Sequence, residues 1–179
     1  MMGKTVMMAV LAAALSFLSL GCGRMFTEGL GEATGASGKV VEVGQTANLS
    51  SYQGLSVEAV SVKPGMRVMS GMPEMIRSDL AAAGEKRGLS SSGTPRLRLT
   101  GEITYYEGSS TTDTVIGPLA QVIVSAKLID AKTGSVVAAA DLVGRAQASS
   151  ASGAASLSAG VAKAFGQWLE SSGLKKAGN

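Results

Sequence analysis

The stretch Arg96–Glu107, RLRLTGEITYYE, decides the fold. Leu97, Leu99, Ile103 and Tyr105 alternate with Arg96, Arg98, Thr100, Glu102 and Thr104. A period of two places the first set on one side of an extended chain and the second on the other. A strand with one apolar and one polar face belongs to a sheet that is covered on one side only. The cover must come from other parts of the same chain.

Downstream, AQVIVSAKLID (residues 120–130) repeats the pattern through Val122, Val124, Ala126 and Leu128. SVVAAADLVG (residues 135–144) follows the turn DAKTG, whose Asp130 and Gly134 suit a short hairpin loop, so these two strands are expected to pair antiparallel. Upstream, GLSVEAVSVKPG (residues 54–65) sets Leu55, Val57 and Ala59 on a strand closed by Pro64 and Gly65. Pro73 then stands where a first-turn proline is tolerated. Met72, Ile76, Leu80 and Ala83 recur at helical spacing up to a stop at Gly88. After the small-residue run QASSASGAAS, a second helix is predicted from the stripe Leu157, Val161, Phe165, Trp168 and Leu169, ended by Gly173. The order is β-α-β-β-β-α. This is the pattern of a single small α+β domain, an antiparallel-rich sheet with two helices packed on one face.

That domain is expected over residues 55–173, with a tail at 174–179. Residues 22–54 are rich in Gly, Ser, Thr and Ala and short of periodic apolar side chains. They read as a flexible tether with a short extended piece at residues 39–43. Beyond the leader the aromatic residues are Phe26, Tyr52, Tyr105, Tyr106, Phe165 and Trp168, so the core must rest on Val, Leu, Ile, Ala and Met. Of 16 basic and 13 acidic groups, the basic Lys4 falls in the leader, which leaves the rest of the chain near neutral. No cluster of Lys and Arg with interleaved aromatics points to nucleic acid.

The chain opens with MMGKTVMMAV and an apolar run from Val6 to Leu20, the form of an export signal and too short for a spanning helix. Leu18-Ser19-Leu20-Gly21-Cys22 follows, and Cys22 is the one cysteine of the chain. This sequence resembles the lipobox of bacterial lipoproteins, departing from the commonest pattern at Ser19. The resemblance implies removal of residues 1–21, diacylglycerol on the Cys22 sulfur, and an acyl group such as palmitate on the new amino terminus. With Gly23 rather than aspartate next, it implies the outer membrane, on its periplasmic side. The alternative is an ordinary signal peptide cut elsewhere, with Cys22 a thiol that has no internal disulfide partner.

SSYQGLSVEAV, LRLTGEITYYEGSS, AQVIVSAKLIDAKTGSVV and the Ala-rich closing helix also resemble an uncharacterised family of bacterial lipoproteins known only as a domain of unknown function. More remotely, the element order is similar to the amino-terminal domain of TolB and to lipoproteins that activate peptidoglycan synthases or secrete curli. The resemblance implies a non-enzymatic part of an envelope assembly with a protein partner. The loop SSTTDTVIGP departs from the family, which leads one to expect an arginine near Thr112 or Thr114.

The chain has no histidine, which removes the commonest general base, the Ser-His-Asp arrangement and most zinc sites. Lys132-Thr133-Gly134 matches a motif of penicillin-binding proteins. Its S-x-x-K counterpart, Ser172 to Lys175, comes after it instead of before, so the tripeptide reads as a turn. GASGKV lacks the first glycine and the hydroxyl of a phosphate-binding loop. No enzyme and no cofactor are expected, apart from the acyl groups on Cys22. Met66, Met69, Met72 and Met75 stand at intervals of three; soft thioethers suit Cu(I), whereas methionine is also a common core filler. Arg96, Arg98 and Lys127 offer a basic strand face for a partner, glycan or acidic lipid, and Asp113 lies in a polar loop suited to partner contact. The expected function is an accessory or binding module of the envelope, with a copper or glycan ligand as the alternative and the oligomeric state open.

Overall fold

The computed structural model describes residues 36–108, 120–146 and 153–174, all within the unit Gly35–Asn179. Its elements are β1 (Ala36–Glu42), β2 (Gly54–Val62), α1 (Met72–Glu85), β3 (Arg96–Glu107), β4 (Ala120–Asp130), β5 (Val136–Ala146) and α2 (Gly153–Ser171). They build one five-stranded sheet in the order β1-β5-β4-β3-β2. The α+β class and the two helices on one face agree with the sequence reading. β1–β5, β5–β4 and β4–β3 are antiparallel, while β2–β3 is parallel because α1 carries the chain back between them.

The predicted stripes form the core. Leu97, Leu99, Ile103, Val122, Val124, Leu128 and Leu142 point from the sheet at Met72, Ile76 and Leu80 of α1 and at Leu157, Val161, Phe165, Trp168 and Leu169 of α2. The Phe165 and Trp168 rings meet edge to face, with centroids 6.2 Å apart. α1 starts behind Gly71 (φ 75°) with a proline in its first turn, and Gly88 (φ 80°) follows its end, where the predicted stop was placed.

Three features differ from the sequence reading. The extended piece expected within the tether is a full strand, β1, so the sheet reaches back to Ala36. Two of its inward residues, Ala36 and Gly38, are small, and α2 presses on the sheet at Gly38 and at Gly144 of β5. A Cβ at Gly38 would lie 2.3 Å from the Gly160 carbonyl oxygen, and one at Gly144 would lie 2.4 Å from that of Leu157. Residues this small give no apolar periodicity, which is why the segment reads as linker. Leu49, also in the expected tether, is fully buried, and its amide donates to the Ser172 carbonyl at 2.8 Å.

The other two differences are bulges. One between Val57 and Val60 turns Ala59 out and Val60 in. The other, between Ile103 and Tyr105, leaves Tyr105 41% exposed and packs Tyr106 against the core instead. An extra residue shifts the alternation by one, so each side chain beyond it changes face.

Candidate functional site

Both helices lie on one side, and among the described residues no element covers the other side of the sheet. Register gives its composition row by row. Lys39, Val143, Ile123 and Tyr105 form one row, and Val41, Asp141, Ser125 and Glu102 the next. Val41 and Val43 are about half exposed, whereas Val143 is buried. Ser125 Oγ donates to Asp141 Oδ1 at 2.6 Å, and Arg145 Nε donates to Gln121 Oε1 at 2.8 Å. Ser61, Thr100, Glu102, Thr104, Ser125 and Lys127 line a shallow depression of about 360 Å³ on this face. An extended surface of this kind, apolar in places and dense in hydroxyls, suits contact with another macromolecule better than enclosure of a small molecule.

The predicted site residues separate. Arg96, Arg98 and Lys127 share this face, but the stripe is not a concentrated positive patch. Arg98 Nη1 lies 3.0 Å from Glu58 Oε1, with both side chains more than 40% exposed, so water screens the pair and it is worth about 0–1 kcal/mol. Arg96 is half buried and donates from Nε to the Gly93 carbonyl at 3.4 Å, while Glu102 and Lys127 line the same depression. Met72 is wholly buried in the core while Met69 and Met75 are exposed, so the four methionines do not form one thioether set. Among the described residues no group of three His, Cys, Asp or Glu could hold a metal. Cys22 and Asp113 lie outside the described residues.

Sequence reasoning missed the polar partners on the open face, Ser125 with Asp141 and Arg98 with Glu58, because each pair joins two strands whose register is set by tertiary structure. It also missed Tyr52. The DAKTG turn is held by Asp130, whose Oδ1 accepts from the Lys132 and Thr133 amides at 2.9 and 2.7 Å, as its turn chemistry predicts. Its Oδ2 accepts from the Tyr52 hydroxyl at 2.7 Å. The Tyr52 hydroxyl first, then the Thr133 amide, hold the Asp130 carboxyl down to about 2, and the same carboxylate pushes the Tyr52 hydroxyl up. With the folded value below the ordinary 3.8, the contribution to stability is present above about pH 4 and is lost as pH falls through about 2. Tyr52→Phe is expected to raise the Asp130 pKa toward its ordinary value in a carboxyl NMR titration and to move acid unfolding to higher pH. An unchanged titration would remove Tyr52 from this role.

Two further hollows lie off the open face. One, of about 330 Å³, is polar and lined by Glu42, Thr46, Asn48 and Ser171, where Glu42 accepts from the Thr46 and Ser171 hydroxyls. The other, of about 530 Å³, runs between the helices over Ala82, Ala83, Ala159, Ala162 and Gly166. Arg87 at its side pairs with Glu170 at 2.9 Å, and Ser158 donates to Asp79 at 2.5 Å. Both hollows serve joints of the fold, strand end to helix end and helix to helix.

The same arrangement of sheet and helices occurs in two structures of a PelC dodecamer from Paraburkholderia phytofirmans. They superpose with TM-scores of 0.51 at 22% and 18% identity, covering 72% of this chain and 96% of theirs. The fold is similar to that of PelC. Protein XCC0632 from Xanthomonas campestris, of the family model DUF330, matches at 21% identity over 75% of this chain and 89% of its own, with a TM-score of 0.43. No family model and no curated protein matches the chain. The likeness to PelC extends to the fold, and at this identity not to particular side chains. No helix among the described residues is long and apolar enough to cross a membrane.

Proposed function

We propose that the chain is an outer-membrane lipoprotein, held by acyl groups on Cys22, whose domain faces the periplasm as a non-enzymatic binding module of an envelope assembly. The observation that carries this reading is the uncovered sheet face, on which Val41, Val43, Ile123 and Tyr105 stand beside hydrogen-bonding side chains. Apolar patches rimmed by polar groups are the ordinary form of a protein–protein contact. The fold likeness to PelC, a dodecamer, supports an assembly that includes further copies of the chain itself.

Two substitutions test the two halves. Cys22→Ser is expected to shift the protein from the membrane to the soluble fraction, and attachment unchanged in that variant sinks the anchor. Ile123→Glu places a charge at the middle of the open face. It is expected to reduce crosslinked oligomers and partner recovery from native membranes while the thermal midpoint stays within a few degrees. Unaltered crosslinking would remove the face from the assembly.

A second reading, a glycan ligand, is favoured by the depression at Thr100, Glu102, Ser125 and Lys127, where hydroxyls, a carboxylate and an ammonium stand together. Titration with peptidoglycan fragments decides it: saturable binding weakened by Lys127→Ala supports this reading, and no saturable binding removes it.

A further inference from the structure

Register fixes which loops share an end of the domain. β1 and β4 begin, and β2, β3 and β5 finish, at the same end, because Ala36 pairs with Ala146, Ala120 with Ala146, and Val62 with Ile103 near the close of β3. Both helices start there too, and a Cβ on Gly153, the first residue of α2, would lie 3.8 Å from the Met69 sulfur. The chain that leads back to Cys22 therefore leaves the domain from this end. Thirteen residues lie between Cys22 and Ala36, fourteen steps along the backbone. Fully extended they span about 50 Å, at about 3.3–3.6 Å per residue.

This end carries two features that suit a lipid surface. Met69 and Met75 are 42% and 36% exposed, with Met66 and Val68 half buried beside them in sequence. Methionine is flexible and apolar and adapts to an irregular surface. The described charged side chains on and near this end are Lys39, Lys63, Arg67, Arg77 and Arg145 on the basic side, against Glu74, Asp79, Glu102 and Glu107, with Asp79 already engaged by Ser158. Basic side chains attract anionic headgroups, and a tether raises the effective concentration of the domain at the bilayer, so weak contacts are enough.

We propose that this end of the domain seats on the bilayer, with Met69 and Met75 entering the headgroup region and the basic side chains meeting lipid phosphates. The proposal rests on Cys22 as the anchor. It turns the opposite end, with the DAKTG turn and Val136, away from the membrane.

The test uses the chain from Cys22 onward, its single thiol coupled to a maleimide phospholipid in vesicles of phosphatidylcholine and phosphatidylglycerol. Anchoring is thereby supplied whether or not the cell acylates Cys22. Met69→Trp and Met75→Trp are made separately, with Val136→Trp at the far end as the comparison and circular dichroism as the check on folding. Lipids brominated near the headgroup are expected to quench M69W and M75W several-fold more than V136W, and Arg67→Glu is expected to reduce that quenching. Equal quenching at all three positions overturns the proposal. The mass of the natural amino-terminal peptide reports acylation of Cys22 separately, so the anchor and the seating can fail independently.

Discussion

Trp168→Ala is expected to destabilise the domain by about 3–5 kcal/mol, a fall in Tm of roughly 10–20 °C. The side chain is wholly buried and stacks edge to face on Phe165, in a core otherwise made of aliphatic groups. Native stability is commonly about 5–15 kcal/mol, so this one truncation takes a large share of it. Trp168→Phe separates the two contributions of the ring. The indole Nε1 is buried and has no hydrogen-bond partner among the described residues, and such a donor carries a desolvation cost of about 1–3 kcal/mol. Removing it offsets part of the lost volume, so W168F is expected to cost no more than about 1–2 kcal/mol. Urea unfolding reads both values. If W168F is as damaging as W168A, the account of the ring is wrong.

Gly160→Ala is expected to cost about 2–3 kcal/mol, although the same change inside a helix ordinarily gains about 0.8–1.0 kcal/mol. The added Cβ would lie 2.5 Å from the Ser37 carbonyl oxygen and 2.9 Å from Gly144 Cα, both of them backbone atoms that cannot step aside. Gly166, on the same helix, faces only the Arg87 guanidinium nitrogens at 3.8 and 3.9 Å. Gly166→Ala is therefore expected to stabilise. One substitution type on one helix thus gives opposite signs, and two changes of the same sign in thermal melts would mean that α2 does not rest on the β1–β5 pair as described.

These glycines also show where the sequence stops being legible. β3 and β4 could be read from alternation because their covered sides carry Leu97, Leu99 and Ile103 and Val122, Val124 and Leu128, whereas β5, with Leu142 among alanines and Gly144, was legible through the hairpin turn before it. α1 and α2, like β3 and β4, could be read from their apolar stripes. β1 could not, since contact with a helix backbone demands small residues where the periodic signal should be. The bulge after Ile103 was hidden as well, because Tyr105 and Tyr106 are equally apolar and either one continues the pattern. On the open face the residue types were legible and their pairing was not. Arg98 looked like a free cation until register placed Glu58 within 3.0 Å of it.

The place of β1 has a consequence for the order of assembly. β3, β4 and β5 join neighbours through short sequence separations, whereas Ala36 meets Ala146 across more than a hundred residues. A chain made from its amino terminus produces β1 first of the described strands and β5, its partner, last of them. Until β5 exists the strand has no ladder to join, and the loop that must close to seat it is the longest in the sheet. Of the described strands β1 is thus the first made and the last to lock. Any chain cut short before Val136 lacks α2 as well as β5 and keeps β1 as a loose ribbon, with neither the strand nor the helix it packs on.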